Sequence, residues 1–288
     1  MTATTEGDAI REEPAVREAE SVPDAESAVR EAESAARRSG VSVRLLDELG
    51  EFERVFRLFD RIWRSDPANA PISVELMRAL SHSGNYVAAA FDGDEMVGAS
   101  VGFLAGPPHG GLHSHVTGAV AGRGVGFALK LHQRAWALTR GLGHISWTFD
   151  PLVRRNAHFN LTKLGARPEE YLPSFYGSMA DAINAGDESD RLLVVWRLTA
   201  PHTLAAAVAP KSSVAAVRSE HGRPVATAVR GGTALVATPQ DIETLRRTDP
   251  EAARAWRYAV RESLGGLMRR GGRVTGLTSA GEYLVECR

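Results

Sequence analysis

The sequence is nearly without cysteine: Cys287 is the only one in 288 residues. A disulfide framework within the chain and a cysteine-rich zinc site are therefore excluded. No run of about 18 apolar residues occurs, so no helix is expected to span a membrane. The polar, acidic N-terminus lacks the apolar stretch of a secretory signal. There is no basic excess either. Lys and Arg total 34 against 35 Asp and Glu, for a net charge of −1. A general nucleic-acid binder needs such an excess to displace counterions. Lysine is scarce, at Lys130, Lys163 and Lys211 alone, and with the abundance of alanine this points to a GC-rich bacterial genome. A cytoplasmic protein is the expectation. What is present is a 43% hydrophobic content, enough for a substantial core in one large domain or about two of ~150 residues.

Residues 1–40 stand apart, with ten acidic and five basic residues and no aromatic one. Ala15-Val16-Arg17-Glu18-Ala19-Glu20-Ser21 recurs as Ala28-Val29-Arg30-Glu31-Ala32-Glu33-Ser34. With few large apolar side chains to offset ordering entropy, this reads as a disordered acidic tail with fleeting helix. From Val41 the pattern becomes structured: an alternating strand at Val41–Leu45, a helix through Val55, Leu58, Phe59 and Ile62, and a second at Val74–Leu80 with Ser73 as its cap. A hairpin follows, Tyr86–Phe91 and Met96–Leu104 around Asp92-Gly93-Asp94-Glu95. Next come a strand at Leu112–Thr117, a helix at about 125–140, a strand at Ile145–Phe149, a short helix from Asn156 to Leu164 closed by Gly165, and a strand at Leu192–Leu198. Residues 199–288 form a second α/β segment, with strands at Pro224–Val229, Leu235–Thr238, Arg273–Leu277 and Tyr283–Val285 and helices at about 240–246 and 251–269. It reads as a separate subdomain or an extension of the first sheet.

The stretch richest in chemistry is Gly118-Ala119-Val120-Ala121-Gly122-Arg123-Gly124-Val125-Gly126-Phe127-Ala128-Leu129-Lys130. A strand ends, glycines permit close backbone approach, and a helix begins. Successive N–H groups can then converge on an anion at the helix N-terminus. No Gly-Lys-Ser/Thr is present for a Walker A loop. G-x-G-x-x-G is also missing, and the preceding meander is not the βαβ context of a dinucleotide site.

Arg123-x-x-Gly126-x-Ala128 fits the R/Q-x-x-G-x-G/A signature of the GNAT N-acetyltransferase superfamily, and the elements around it come in that superfamily's order. Leu112-His113-Ser114-His115, Trp147-Thr148-Phe149-Asp150-Pro151-Leu152, Arg155-Asn156-Ala157 and Lys163-Leu164-Gly165-Ala166 resemble a GNAT subgroup assigned from sequence. Phe175-Tyr176-Gly177, Asp190-Arg191-Leu192, Trp256-Arg257 and Arg261-Glu262 are similar to it too. The resemblance implies an α/β (α+β) fold with a mixed, mostly antiparallel central sheet flanked by helices. This GNAT-like acyltransferase domain would occupy 41–198, and the C-terminal α/β extension 199–288. Two departures stand out. Taking Gly124 and Gly126 as the signature pair puts Ala121 where an arginine or glutamine is usual, and the link from His115 to Gly124 is short. Leu161 stands where the superfamily often has a tyrosine acid.

The resemblance further implies that acetyl-CoA, as co-substrate, lies between two splayed parallel strands, Leu112–Thr117 and Ile145–Phe149. Val116, Thr117, Gly118, Arg123, Gly124, Val125, Gly126, Phe127, Ala128 and Asn156 would bind it, with Lys130 and Arg134 sharing the helix face of Arg123. The acceptor amine must lose its proton to attack, so a base is needed. His113 and His115 alternate onto one strand face and titrate near neutrality; the alternative is a structural role. With His109 they would form a metal-binding cluster in another reading, though no carboxylate follows at short spacing, and no metal is expected. Asp150 suits either a base or ammonium ligand, or a turn-initiating cap. Tyr176 is the candidate acid, or else a buried aromatic. The acyltransferase reading is direct attack on the thioester by a small amine metabolite, without nucleic acid, membrane or covalent enzyme intermediate. The alternative is a degenerate GNAT-like module that binds CoA or another ligand without turnover. The C-terminal segment either covers the acceptor site or makes a homodimer interface.

Overall fold

The computed structural model describes residues 24–63, 70–107, 110–177, 186–199 and 206–287. The first repeat copy and His109 lie outside them. The chain folds around two sheets. The first has seven strands, β1 (Ser42–Leu45), β2 (Tyr86–Asp92), β3 (Glu95–Leu104), β4 (Leu112–Ala119), β5 (His144–Phe149), β6 (Arg167–Leu172) and β7 (Arg191–Arg197). Their spatial order is β1-β2-β3-β4-β5-β7-β6. All neighbours are antiparallel except β4 and β5, which are parallel. The second sheet is built from β8 (Val214–Glu220), β9 (Arg223–Ala226), β10 (Gly232–Val236), β11 (Arg273–Leu277) and β12 (Tyr283–Cys287), in the order β11-β12-β10-β8-β9. The C-terminal segment therefore has its own sheet and does not extend the first one.

Helices α2 (Leu49–Trp63) and α3 (Val74–His82) cover one face of the first sheet. Val55, Leu58 and Phe59 bury the stripe that their spacing foretold, with Ile62 partly buried beside them, and Phe52 and Met77 join them against Val87, Ala89, Ala99 and Val101. Ser73 caps α3 by accepting from the Leu76 N–H at 3.2 Å. Helix α4 (Val125–Leu138) covers the other face.

Residues 25–38, where no more than fleeting helix was expected, are ordered. They form α1 (Ala25–Arg38), capped by Asp24 and laid on α4. Alanines do the burying: Ala28, Ala32, Ala35 and Ala36 are at most 8% exposed. Small side chains let two helix backbones approach closely, so contact area comes from proximity rather than from bulk. The contact also buries Arg134 of α4, whose guanidinium donates to Glu31 of α1 at 2.6 Å and to the Leu198 carbonyl at 3.0 Å.

After β5 comes α5 (Arg154–Ala157), which runs into a π-helical stretch at His158–Lys163, with Gly165 at φ +69° just beyond. Helices α6 (Ile242–Thr248), α7 (Pro250–Val260) and α8 (Gly266–Arg269) belong to the C-terminal segment. Asp249 caps α7 ahead of Pro250 at its first turn. The two halves meet through a buried ionic cluster. Asp150 accepts from Arg257 through both oxygens at 2.8 Å and from Arg246 at 2.6 Å. Asp187 accepts from Arg257 at 2.9 Å and from Arg246 at 3.2 Å. Beside it, Arg261 pairs with Asp190 and Glu188, both at 2.5 Å, and the Tyr171 hydroxyl donates to Asp190 at 2.7 Å. Tyr283 of β12 donates to the Pro151 carbonyl at 2.8 Å.

Candidate functional site

The first sheet is forked. Strands β4 and β5 pair only at Leu112↔Ile145 and His113↔Ser146. From Ser114 and Trp147 onward they part, although each stays paired on its other side, with β3 and β7. The cause is local. Val116 pairs with Val101 and Ser114 with Gly102, which leaves His115 unmatched as a bulge in β4. A bulge bends and over-twists its strand. It also resets the alternation of side chains. His113, His115 and Val116 share the face of α2 and α3, where both imidazoles lie beside the Phe103 ring at 5.1 and 6.0 Å. Ser114 and Thr117 face α4, where Ser114 accepts from Lys130 and the Thr117 and Ser100 hydroxyls meet at 2.8 Å.

The two histidines differ. His115 Nε2 lies 3.0 Å from the Pro71 carbonyl, just ahead of α3. A carbonyl only accepts, so Nε2 carries the proton and the Nδ1 lone pair is left for another proton. His113 is more enclosed. Burial, reinforced by the charges of His115 and Lys130, pushes its pKa down to about 4, and its Nδ1 meets Ser146 Oγ at 3.3 Å. It is a neutral, weakly basic imidazole near pH 7.

At the open end of β4 the glycine-rich turn has the geometry its composition suggested. Gly122 and Gly124 sit at φ +98° and +77°, a region closed to most residues with a Cβ. Gly124 is the N-cap of α4 and offers no side-chain cap. Among the described residues, no backbone carbonyl is bonded by the N–H of Val125 or Gly126, while Phe127 and Ala128 both donate to the Gly124 carbonyl. Two orphan donors and a helix dipole thus face outward. A Cβ at Gly126 would meet nothing within 4 Å.

Several expected binding side chains are used otherwise. Val125 and Ala128 are core residues, and Phe127 and Val116 are partly buried against it, so these positions can offer a ligand only their backbone. Gly118 makes room for Trp63, whose ring would lie 2.7 Å from a Cβ there. Arg123 is engaged by Asp92 at 2.6 Å and by the carbonyls of Ser39 and Gly40, both at 3.2 Å. Lys130 and Arg134 are buried, so no exposed cationic face of α4 exists. Asp150 is engaged by Arg246 and Arg257. Burial alone would raise its pKa, but the charges of Arg257 and Arg246 and their hydrogen bonds hold the carboxyl well below the usual range. Tyr176 is exposed after β6, edge-on to Phe175 with Arg191 over its ring, and its N–H donates to Ser189 Oγ.

Sequence reasoning missed the cleft beside the glycine turn, about 740 Å³, lined by Gly122, Arg154, Arg155, Asn156, His158 and Lys163 and by Gln240, Thr278, Ser279 and Gly281 of the C-terminal segment. Arg155 is held by Glu243 through two contacts and Arg154 by Thr238. His158 and Lys163 are exposed there. Of the expected ligands only Asn156 and the turn border this cleft. The recurrence of basic residues at 154, 155, 158 and 163 was the available signal.

No protein-family model matches the sequence, and no curated protein matches it. Solved structures similar to this chain include a presumed GNAT-family acetyltransferase from Desulfovibrio desulfuricans, with 16% identity over 55% of this chain and 99% of that one at a TM-score of 0.45. The ribosomal-protein-S18-alanine N-acetyltransferase from Escherichia coli aligns at 10% identity over 56% and 96%, also with a TM-score of 0.45. A presumed acetyltransferase from Salmonella typhimurium, determined with acetyl-CoA, aligns at 12% identity over 60% and 99%, with a TM-score of 0.44. The second sheet is separate from the first.

Proposed function

We propose that this protein is an acyl-CoA-dependent N-acyltransferase, using acetyl-CoA and a small amine. The observation that carries the reading is the fork: an unpaired edge of β4 that leads from a buried vertex to two orphan helix N–H groups. An extended amide-containing chain can add to such an edge as a strand would. The N–H groups of Val125 and Gly126 would hold the pyrophosphate, and the cleft of His158 and Lys163 would take the phosphorylated nucleoside. The vertex would then hold the thioester, beside the His115 bulge.

On this reading His115 Nδ1 removes the proton from the acceptor ammonium, directly or through a water. A bulged β4 N–H steadies the negative oxygen of the tetrahedral adduct. The nitrogen–carbon bond forms as the carbon–sulfur bond breaks, and the acceptor enters from the face of α2 and α3. A screen of small amines against acetyl-CoA, read by thiol release, tests this. Transfer to at least one amine, reduced in His115→Ala, supports it. CoA binding with no transfer to any amine favours the second reading, a CoA-binding module without turnover. The Arg123–Asp92 pair and Leu161 favour that reading.

A further inference from the structure

Lys130 projects from the second turn of α4, the helix behind the fork. Its Nζ donates to Ser114 Oγ at 2.7 Å and to Gln133 Oε1 at 3.3 Å, and lies 4.0 Å from the centre of the Trp147 ring. Ser114 and Trp147 are the first residues of β4 and β5 beyond their last pair. The amine therefore hangs at the vertex, on the face opposite the histidines. It is 4% exposed, and no carboxylate pairs with it among the described residues. The groups facing it are neutral: a hydroxyl from β4, an amide from its own helix, an indole from β5, and the nearby His113 imidazole. Arg134, one turn along the same helix, has Glu31. A buried cation without a counter-ion is costly unless an anion arrives or the proton leaves.

We infer that Lys130 protonates the departing thiolate of the acyl donor. The inference rests on the acyltransferase reading above. With the phosphates at the glycine turn, a chain following β4 back from Ala119 to Ser114 covers about 17 Å at ~3.3 Å per residue. That is comparable to an extended pantetheine arm, so the sulfur reaches the vertex. When the carbon–sulfur bond breaks, its electron pair goes to sulfur. A proton passes from Nζ to that sulfur, leaving a free thiol and a neutral amine. Lys130 regains a proton from solvent, to which His115 has delivered the one taken from the acceptor. The sum is thioester plus amine to amide plus thiol. Burial lowers the lysine pKa to about 7, which suits an acid working near neutrality. The geometry also supplies what Leu161, buried in the core, cannot.

The test reads the thiol and the amine rather than turnover. CoA is titrated with pH while bound to wild type and to Lys130→Met, following thiolate ultraviolet absorbance. A thiolate fraction about tenfold higher in wild type at mildly alkaline pH is expected; equal fractions overturn the inference. Independently, only three lysines occur, so carbon-13 labelling at Cε resolves Lys130 in wild type. Its titration should move to higher pH with CoA but not with desulfo-CoA. Identical responses to the two ligands overturn the inference even if the methionine variant does not fold. If neither ligand binds wild type, the acyltransferase reading fails and takes this one with it.

Discussion

Replacing Asp150 with asparagine tests whether the carboxylate that sequence reasoning placed among the catalytic residues is instead an internal joint. The side chain is 5% exposed, is gripped by both oxygens from Arg257 at 2.8 Å, and accepts from Arg246 at 2.6 Å; both arginines are at most 2% exposed. With Asp187 the cluster balances two positive charges against two negative ones. Asp150→Asn keeps the shape but leaves one buried guanidinium uncompensated, and breaking such a pair costs about 3–5 kcal/mol. At ~2–4 °C per kcal/mol for a chain of this size, the midpoint should fall by about 10 °C. The assay is urea and thermal unfolding followed by circular dichroism. Because the folded pKa is depressed, the carboxylate stabilises at pH values above its unfolded pKa of ~3.9, and this is lost as pH falls through the lower folded value. The gap between wild type and variant should therefore be constant from about pH 5 to 8 and close in stronger acid. A variant as stable as wild type but devoid of acyl transfer would refute the structural account and restore a catalytic one.

His115→Ala should lower kcat by about 10²–10⁴-fold with little change in CoA affinity, while His113→Ala, whose imidazole is enclosed and bonded to Ser146, should lose less; steady-state kinetics check both. Lys130→Met should stabilise the fold, and the gain should be fullest below about pH 7, shrinking as pH rises toward ~10.4, because the buried amine binds its proton less readily folded than unfolded. Denaturation at pH 6 and 9 checks it, and a gain that is larger at pH 9 contradicts it. Ala35→Glu, which forces a carboxylate into the α1–α4 contact where Ala35 is 2% exposed, should cost roughly 2–4 kcal/mol in urea unfolding.

The elements were largely legible in the sequence because period and punctuation agree. The apolar stripe of α2, the Ser73 cap and the Gly93 turn each specify local structure unaided. Strand β6 was not seen, because Arg167-Pro168-Glu169-Glu170 carries polar residues and a proline suited only to an edge, which is where it lies. Helix α1 was missed because its buried face is alanine, which reads as low hydrophobicity until another helix is near. At the site, the glycine turn announced itself through composition. The splay of β4 and β5 was implied by the resemblance alone, and the bulge at His115 was not foreseen, because it is a register fact, invisible in one strand's sequence. The charged residues misled most. Arg123, Arg134 and Asp150 look available in sequence, yet each is consumed by a partner from 84 to 107 positions away in the chain.

The central claim is that the glycine turn and the fork hold CoA. Calorimetric titration of wild type and Gly126→Asp with CoA addresses it most directly, because an added Cβ at Gly126 meets nothing and the fold should survive. The account predicts micromolar binding by wild type and at least a tenfold weaker Kd in the variant, whose carboxylate would face the phosphates at an unchanged Tm. A well-folded wild type that takes up no CoA at millimolar concentration would contradict it.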